Sequence, residues 1–326
     1  MARLIIHIGT HKTATTFLQH RLAHARPWLA ERGFIYPDFG SPAHHLLVAH
    51  WVGLKRELAW CPDPTAVWKA LAAEHVGSDR TIVLSSEEFS RATANRPDFK
   101  TIRNWFEGFE SVRLICYVRD QLSYLQSIYT EVSKAMNPAA PAAMVDEAIR
   151  TGMFTGVALG YKLLADMLVQ QVPQEDVNFY NYHDACEGEG GILAHFLRQL
   201  GLKKEPPTTR VQRQNESRAA AAVWIANMIS IPEVAPALLI DQVAQVLAEQ
   251  FPSLHGATIF TREEIARLQD RFGPVNRYFE ARVQRLDPRF RMPELQNFSD
   301  RPTRDEIGPD VWDAVKAATC RAAFPV

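Results

Sequence analysis

The chain has 326 residues, a formal net charge of −1, and 47% hydrophobic against 22% charged residues. This length can bury a large core, as one big domain or one domain with an extension, and the composition is that of an ordinary soluble globular protein. A near-zero charge speaks against a nucleic-acid binder relying on a bulk positive field, and no apolar run reaches membrane-spanning length.

The first element is an apolar run, Leu4 to Ile8, which reads as a short buried strand with one basic residue before it and no secretory pattern. A glycine ends it, and a helix is expected over Thr15–Leu29. Helices are then predicted over Ala43–Leu58 and Pro64–Val76, a second strand over Thr81–Ser85, and a helix over Asp98–Phe109. The third strand, Val112–Val118, is the most apolar, and a helix over Leu122–Ala135 follows it. Asn137–Ala143 is a proline-containing excursion of small residues. Another helix over Leu159–Gln171 precedes a fourth strand over Val177–Tyr182. Beyond the proline- and arginine-bearing stretch Glu205–Gln214 the chain reads as helical: Glu216–Ile229, Ala235–Gln250, Arg262–Arg282 and Arg304–Ala318. Buried strands alternating with helices indicate an α/β protein with a parallel central sheet flanked by helices and a largely helical C-terminal part. The expected organisation is a core over residues 1–205 and a helical extension over 206–326, in one continuous domain. Ligands of such sheets sit at the carboxyl ends of the strands, so the segments after Ile8, Leu84 and Val118 should face one crevice.

Three groups of residues carry chemistry. The first is the turn after the first strand, Gly9-Thr10-His11-Lys12-Thr13-Ala14-Thr15-Thr16. A tight turn with a lysine, opening a hydroxyl-rich helix start, offers backbone N–H groups, a positive dipole end, a point charge and hydroxyl donors to one anion. It is two residues shorter than the common G-x-x-x-x-G-K-[ST] loop. The second is Arg119, at the end of the third strand, with Ser127 eight residues on: a guanidinium fork and a hydroxyl that can meet on one phosphate. The third is Glu87-Glu88 after the second strand, where a carboxylate can accept a proton from a substrate hydroxyl. His44, His45 and His11 are the other candidate bases. The cysteines Cys61, Cys116, Cys186 and Cys320 show no metal spacing and fit a reducing cytoplasm, and no metal is expected.

The loop and the R-x7-S-x-Y segment together resemble the sulfotransferase superfamily that uses 3′-phosphoadenosine 5′-phosphosulfate (PAPS), nearest to bacterial members acting on carbohydrates or other small acceptors. The resemblance is strong over residues 4–20 and 80–130 and thins after Leu202. It implies the P-loop-like fold of that group, PAPS as co-substrate with 3′-phosphoadenosine 5′-phosphate (PAP) as product, and transfer of a sulfuryl group to a hydroxyl or amine. Lys12 would then stabilise the leaving phosphate, residues 9 to 16 would hold the 5′-phosphate, Arg119 and Ser127 the 3′-phosphate, and Glu87 would be the base, with Glu88, His44 and His45 as alternatives. Arg213, with Arg210, would cover the nucleotide, while Asn215 and Ser217 fit either a return to the donor or a helix cap. Ala14 stands where these loops carry glycine. Alanine suits the position if its φ is negative and is strained if φ is positive. His50, Trp51, Trp60 and Trp68 fit either an acceptor groove for a sugar ring or core packing. The rival readings are a nucleotide-dependent kinase, which needs no 3′-phosphate site, and a non-catalytic nucleotide-binding protein of the same fold.

Overall fold

Leu4, Ile5 and Ile6 are buried on both faces of the first strand, β1 (Arg3–His7), as a strand at the centre of a covered sheet requires. The structure, a computed structural model, describes residues 1–54, 61–207, 218–296, 298 and 300–323. In chain order β1 is followed by α1 (Thr15–His24), α2 (Arg26–Ala30), β2 (Phe34–Ile35), α3 (Ala49–Val52), α4 (Pro64–His75), β3 (Thr81–Ser85), α5 (Phe99–Trp105), β4 (Ser111–Val118), α6 (Gln121–Val132) and α7 (Pro141–Thr151). Next come the two-residue strands β5 (Met153–Phe154) and β6 (Val157–Ala158), then α8 (Tyr161–Val169), β7 (Val177–Asn181), α9 (Tyr182–Glu187) and α10 (Gly191–Gln199). The chain continues through α11 (Ala220–Ser230), α12 (Ala237–Gln250), α13 (Arg262–Val283) and α14 (Pro309–Ala323). No described helix is long and apolar enough to cross a membrane.

The chain forms two compact units, each assembled from separate stretches: Met1–Arg119, Thr155–Gln214 and Val275–Pro293 in the first; Asp120–Phe154, Asn215–Pro274 and Glu294–Val326 in the second. The first unit holds a five-stranded sheet in the order β2-β3-β1-β4-β7. Every described pairing is parallel, with His7 level with Ser85 on one side and Ile115 on the other. The fold is therefore the α/β architecture that the alternating pattern implies. β1 is the strand from which the order runs outwards both ways, so the loop after it lies at a topological switch point, where such sheets bind ligands. One face of β1, β3 and β4 is covered by α1, α2, α9 and α10 through a core that includes Leu18, Leu22, Leu29, Val83, Ile115, Tyr117 and Phe196.

The second unit is helical. Here α11 packs on α6 and α12, and α12 on α14. Asn227 of α11 donates from Nδ2 to Tyr129 Oη at 3.2 Å and to Ser133 Oγ at 2.8 Å, and Trp224 meets Trp312 edge-on at 5.6 Å.

Several elements differ from the sequence expectation, each for a local reason. The single helix over Thr15–Leu29 breaks at Ala25 and restarts with Pro27 in the first turn of α2, because proline suits a helix start but cannot donate inside one. The helix over Ala43–Leu58 reduces, within the described residues, to a 3₁₀ turn at His45–Leu47 and the short α3, which stops at Gly53 with φ 61°. Pro141, read as part of an excursion, is the first residue of α7. Elsewhere the ends follow caps: Asp63, Asp98 and Asp120 accept the N–H of Ala66, Thr101 and Ser123 and fix the starts of α4, α5 and α6.

Candidate active site

The turn between β1 and α1 is anchored from below. Ile8 N–H donates to the Ile115 carbonyl at 2.9 Å, so the chain leaves the sheet one residue after β1 ends. Thr10 Oγ1 donates to the Tyr117 carbonyl at 2.9 Å, and Thr13 Oγ1 to the Thr10 carbonyl at 2.6 Å. In this structure both hydroxyl protons are spent on the shape of the turn. Lys12 and Ala14 both have positive φ, 64° and 56°. Of the two possibilities for Ala14, the strained one holds: an L-residue in this conformation costs roughly 1–2 kcal/mol, which glycine would avoid. Ala14 is also the N-cap of α1 and supplies no side-chain cap, so the first-turn N–H groups lack both an intrahelical acceptor and a capping side chain. Thr16 is exposed on that turn, and Thr15 is buried.

Gly9 is required by close approach. A Cβ there would lie 2.6 Å from His7 Nε2 and 3.3 Å from Thr15 Oγ1. Both of those atoms are buried without a hydrogen-bond partner among the described residues, so two polar atoms converge beneath the turn with their capacity unmet. Leaving such groups unmet costs about 1–3 kcal/mol each, so native proteins hold few of them and each has a physical reason. Burial holds the His7 imidazole neutral, with its pKa lowered to about 3.

Arg119 sits where β4 ends. Its Nη1 donates to the Lys12 carbonyl at 2.8 Å, and its guanidinium lies 5.6 Å from the centre of the Tyr182 ring. Its own backbone is held by one phenol: Arg119 N–H donates to Tyr161 Oη at 3.2 Å, and that hydroxyl donates to the Arg119 carbonyl at 2.7 Å. Ser127 lies half-buried on α6, in the second unit, where its carbonyl accepts Thr130 Oγ1 at 3.0 Å. Arg210, Arg213, Asn215 and Ser217 lie outside the described residues.

The two glutamates after β3 have different surroundings. Glu88 is buried and bonded to Arg91, with Nε on Oε2 at 2.6 Å and Nη2 on Oε1 at 3.3 Å, and His11 Nε2 approaches to 3.9 Å. Burial pushes its carboxyl up, but the Arg91 hydrogen bonds and the charges of His11, Arg91 and His45 outweigh that and hold it below the ordinary value. Glu87 is half-buried and accepts one hydrogen bond, from Gln19 Nε2 on α1 at 3.0 Å. His44 is fully buried: its Nδ1 accepts the Ser85 N–H at 3.0 Å, its Nε2 donates to the Pro37 carbonyl at 3.1 Å, and burial lowers its pKa to about 4. With both nitrogens committed to backbone, His44 is a structural histidine. His45 Nδ1 pairs with Ser86 Oγ at 2.8 Å. His11 is pushed down by burial, against the opposing pull of Glu88.

Gln19, His7, Arg91 and Tyr161 enter the site without having been singled out from the sequence. Gln19 had a readable signal, since it stands one helical turn after Thr15 on the same face. Trp68, a groove candidate, is core: fully buried, its indole N–H donates to the Leu47 carbonyl at 2.8 Å. Trp51 stacks on Trp105 at 6.2 Å, while Trp60 and the His50 side chain lie outside the described set. Among the described residues no group of three or more His, Cys, Asp or Glu side chains is placed to hold a metal ion.

No family model matches the chain, and no curated protein matches it. Solved structures to which it is similar include a sulfotransferase from Alicyclobacillus acidocaldarius, 11% identical over 82% of this chain and 95% of that one, with a TM-score of 0.42. Another is the sulfotransferase domain of the Synechococcus PCC 7002 olefin synthase, 15% identical over 77% and 95% with a TM-score of 0.32. A gluconokinase from Sinorhizobium meliloti 1021 is 13% identical over 61% and 88%, with a TM-score of 0.24. At these values the functional reading rests on the residues of the site.

Proposed function

We propose that this protein is a PAPS-dependent sulfotransferase that moves a sulfuryl group to a hydroxyl or amine of a carbohydrate or other small acceptor. One observation carries the reading: a lysine-bearing turn at the switch point of a parallel sheet, opening an uncapped helix, with the buried hydroxyl of Thr15 unpartnered beneath it. That is a cradle for a phosphate-like dianion. The 5′-phosphate end of the donor is assigned to the backbone of residues 9 to 16 and to Thr15, with Thr16 at the rim. The 3′-phosphate is assigned to Arg119 and Ser127, and Arg213 to the cover over the nucleotide.

In the transfer, the acceptor oxygen bonds to sulfur as the bond from sulfur to the 5′-phosphate oxygen breaks. The acceptor proton leaves to a base and the electron pair leaves with the phosphate. Catalysis is then positioning and charge stabilisation. Lys12 is the group for the charge developing on the departing phosphate. Glu87 is the base, because its one described hydrogen bond uses a single carboxylate oxygen, whereas the Glu88 oxygens are both engaged by Arg91.

Calorimetric titration with PAP, AMP and ATP tests the assignment. A charge-assisted contact to the 3′-phosphate contributes roughly 1.5–3 kcal/mol, so PAP should bind about ten- to a hundredfold more tightly than AMP. Equal binding of all three would reject PAPS as the donor and favour the kinase reading. Lys12→Ala should then lower turnover more than donor affinity.

A further inference from the structure

The two glutamates that follow β3 are held by opposite kinds of partner. Glu88 is gripped by a cation, the Arg91 guanidinium, which offsets its charge. Glu87 is met by a neutral amide: Gln19 Nε2 donates to its Oε2 at 3.0 Å. An ionised carboxylate only accepts, so the direction of this bond is fixed. Gln19 is itself buried, at 3% exposure, and its amide is kept in place by packing. The main chain of Glu87 is secured separately. Ser86 Oγ accepts the Glu88 N–H at 3.2 Å and starts a short 3₁₀ turn at Glu87–Ser90, in which Ser90 Oγ donates to the Glu87 carbonyl at 2.7 Å. With that backbone pinned, the freedom left to the carboxylate is rotation of its own side chain. Among the described residues, Gln19 is the group that takes it away.

We propose that Gln19 is the positioning residue of Glu87: it occupies Oε2, leaves Oε1 for the acceptor proton, and does so without cancelling the negative charge that a base needs. The inference rests on Glu87 being the base of the transfer proposed above. A guanidinium or ammonium in place of Gln19 would orient the carboxylate but oppose proton uptake, since a neighbouring cation favours the ionised form. An amide supplies the N–H and brings no net charge. Gln19 also ties the base to the donor cradle. It stands four residues after Thr15, whose hydroxyl lies beneath Gly9, so both project from one side of α1. The first turn of α1 then carries the cradle and its second turn the grip on the base. One rigid element spans the leaving phosphate and the proton acceptor, and misplacing a reacting group by about 1 Å can cost roughly a hundredfold in rate.

The test is a double-mutant cycle on turnover of the full chain. PAPS is the donor, 4-nitrophenol, glucosamine and N-acetylglucosamine are the acceptor probes, and the readout is PAP formed. Gln19→Met keeps the length of the side chain and removes the donor. It should lower kcat roughly tenfold or more, with KM for PAPS and affinity for PAP within about twofold of wild type. In the Glu87→Gln background, where no base is left to position, the same substitution should change kcat by less than about twofold. A merely structural role predicts equal losses in both backgrounds, and that result would overturn the proposal, as would Gln19→Met turning over like wild type. Gln19→Glu, of the same shape, sets a like charge against Glu87 and should lose turnover with PAP binding kept. It stands in should Gln19→Met not fold, and retained turnover there would overturn the proposal too. If Glu87→Gln turns over normally, or wild type forms no PAP, the proposal falls with the base, while PAP binding still tighter than AMP leaves the donor assignment standing.

Discussion

Arg119 Nη1 donates to the Lys12 carbonyl at 2.8 Å, tying the end of β4 to the turn after β1. An arginine expected to meet only a ligand therefore braces the protein in its free state. A hydrogen bond from a charged donor contributes about 1.5–3 kcal/mol. Arg119→Ala should lower the unfolding free energy of the free protein by roughly 1–3 kcal/mol in urea, as well as weakening PAP. Unchanged stability with weakened PAP would mean that the contact with Lys12 contributes nothing before the ligand arrives.

Ala14→Gly should stabilise the protein. It relieves the positive φ of 56°, worth roughly 1–2 kcal/mol, and gives back part of that through the greater freedom of glycine in the unfolded chain. The expected net is about 0.5–1 kcal/mol, read as a rise in the denaturant midpoint at constant m value. A loss of stability would show that Ala14 is not held in the left-handed region.

The buried histidines set an acid limit on the fold. His7 and His44 are lowered to about 3 and about 4 from 6.5. A histidine that is neutral when folded binds fewer protons than when unfolded, so stability is complete above pH 6.5 and is lost as pH falls towards the folded values. Each group contributes about 1.4 kcal/mol per pH unit within that window. Unfolding free energy should drop by about 2 kcal/mol per histidine between pH 6.5 and about pH 5, before most carboxylates titrate. A flat profile over that range would contradict neutral burial of both.

The glutamates separate by readout. Glu87→Gln should keep PAP binding and lower turnover by roughly 10²–10⁴ across an acceptor panel. Glu88→Gln should instead cost roughly 1–3 kcal/mol of stability, because it weakens the Arg91 pair, with a smaller effect on rate. The depressed Glu88 carboxyl adds stability that is present above its unfolded pKa and lost as pH falls through the folded value. That acid sensitivity should be reduced in Glu88→Gln. If both variants turn over normally and His45→Ala does not, the base is His45.

The sheet was legible because its strands are short apolar runs buried on both faces: Thr81–Ser85 matches its reading end for end, and the other three long strands lie within one residue at each end. The turn at Lys12 was legible because glycine, lysine and threonine at that spacing have few other uses. What the sequence withheld were partners distant along the chain. Nothing local says that Tyr161 reaches Arg119, that Ser85 meets His7, or that Arg91 rather than a substrate takes Glu88. Groups 42 and 78 residues apart meet only once the sheet has closed. The strands β2, β5 and β6, at two residues each, are too short to produce a periodicity.

A single oxygen, the Tyr161 hydroxyl, does for Arg119 what a neighbouring strand does for a residue inside a sheet: it receives from the N–H and gives to the carbonyl. Removing it with Tyr161→Phe keeps the ring, its contact with Phe279 and nearly all of its volume, yet deprives two backbone groups of their partner at once. A bulky replacement that still offers a donor and an acceptor could be kinder to this corner than the closest match in shape. By this contact the backbone that carries the guanidinium is held through both its N–H and its carbonyl by one side chain.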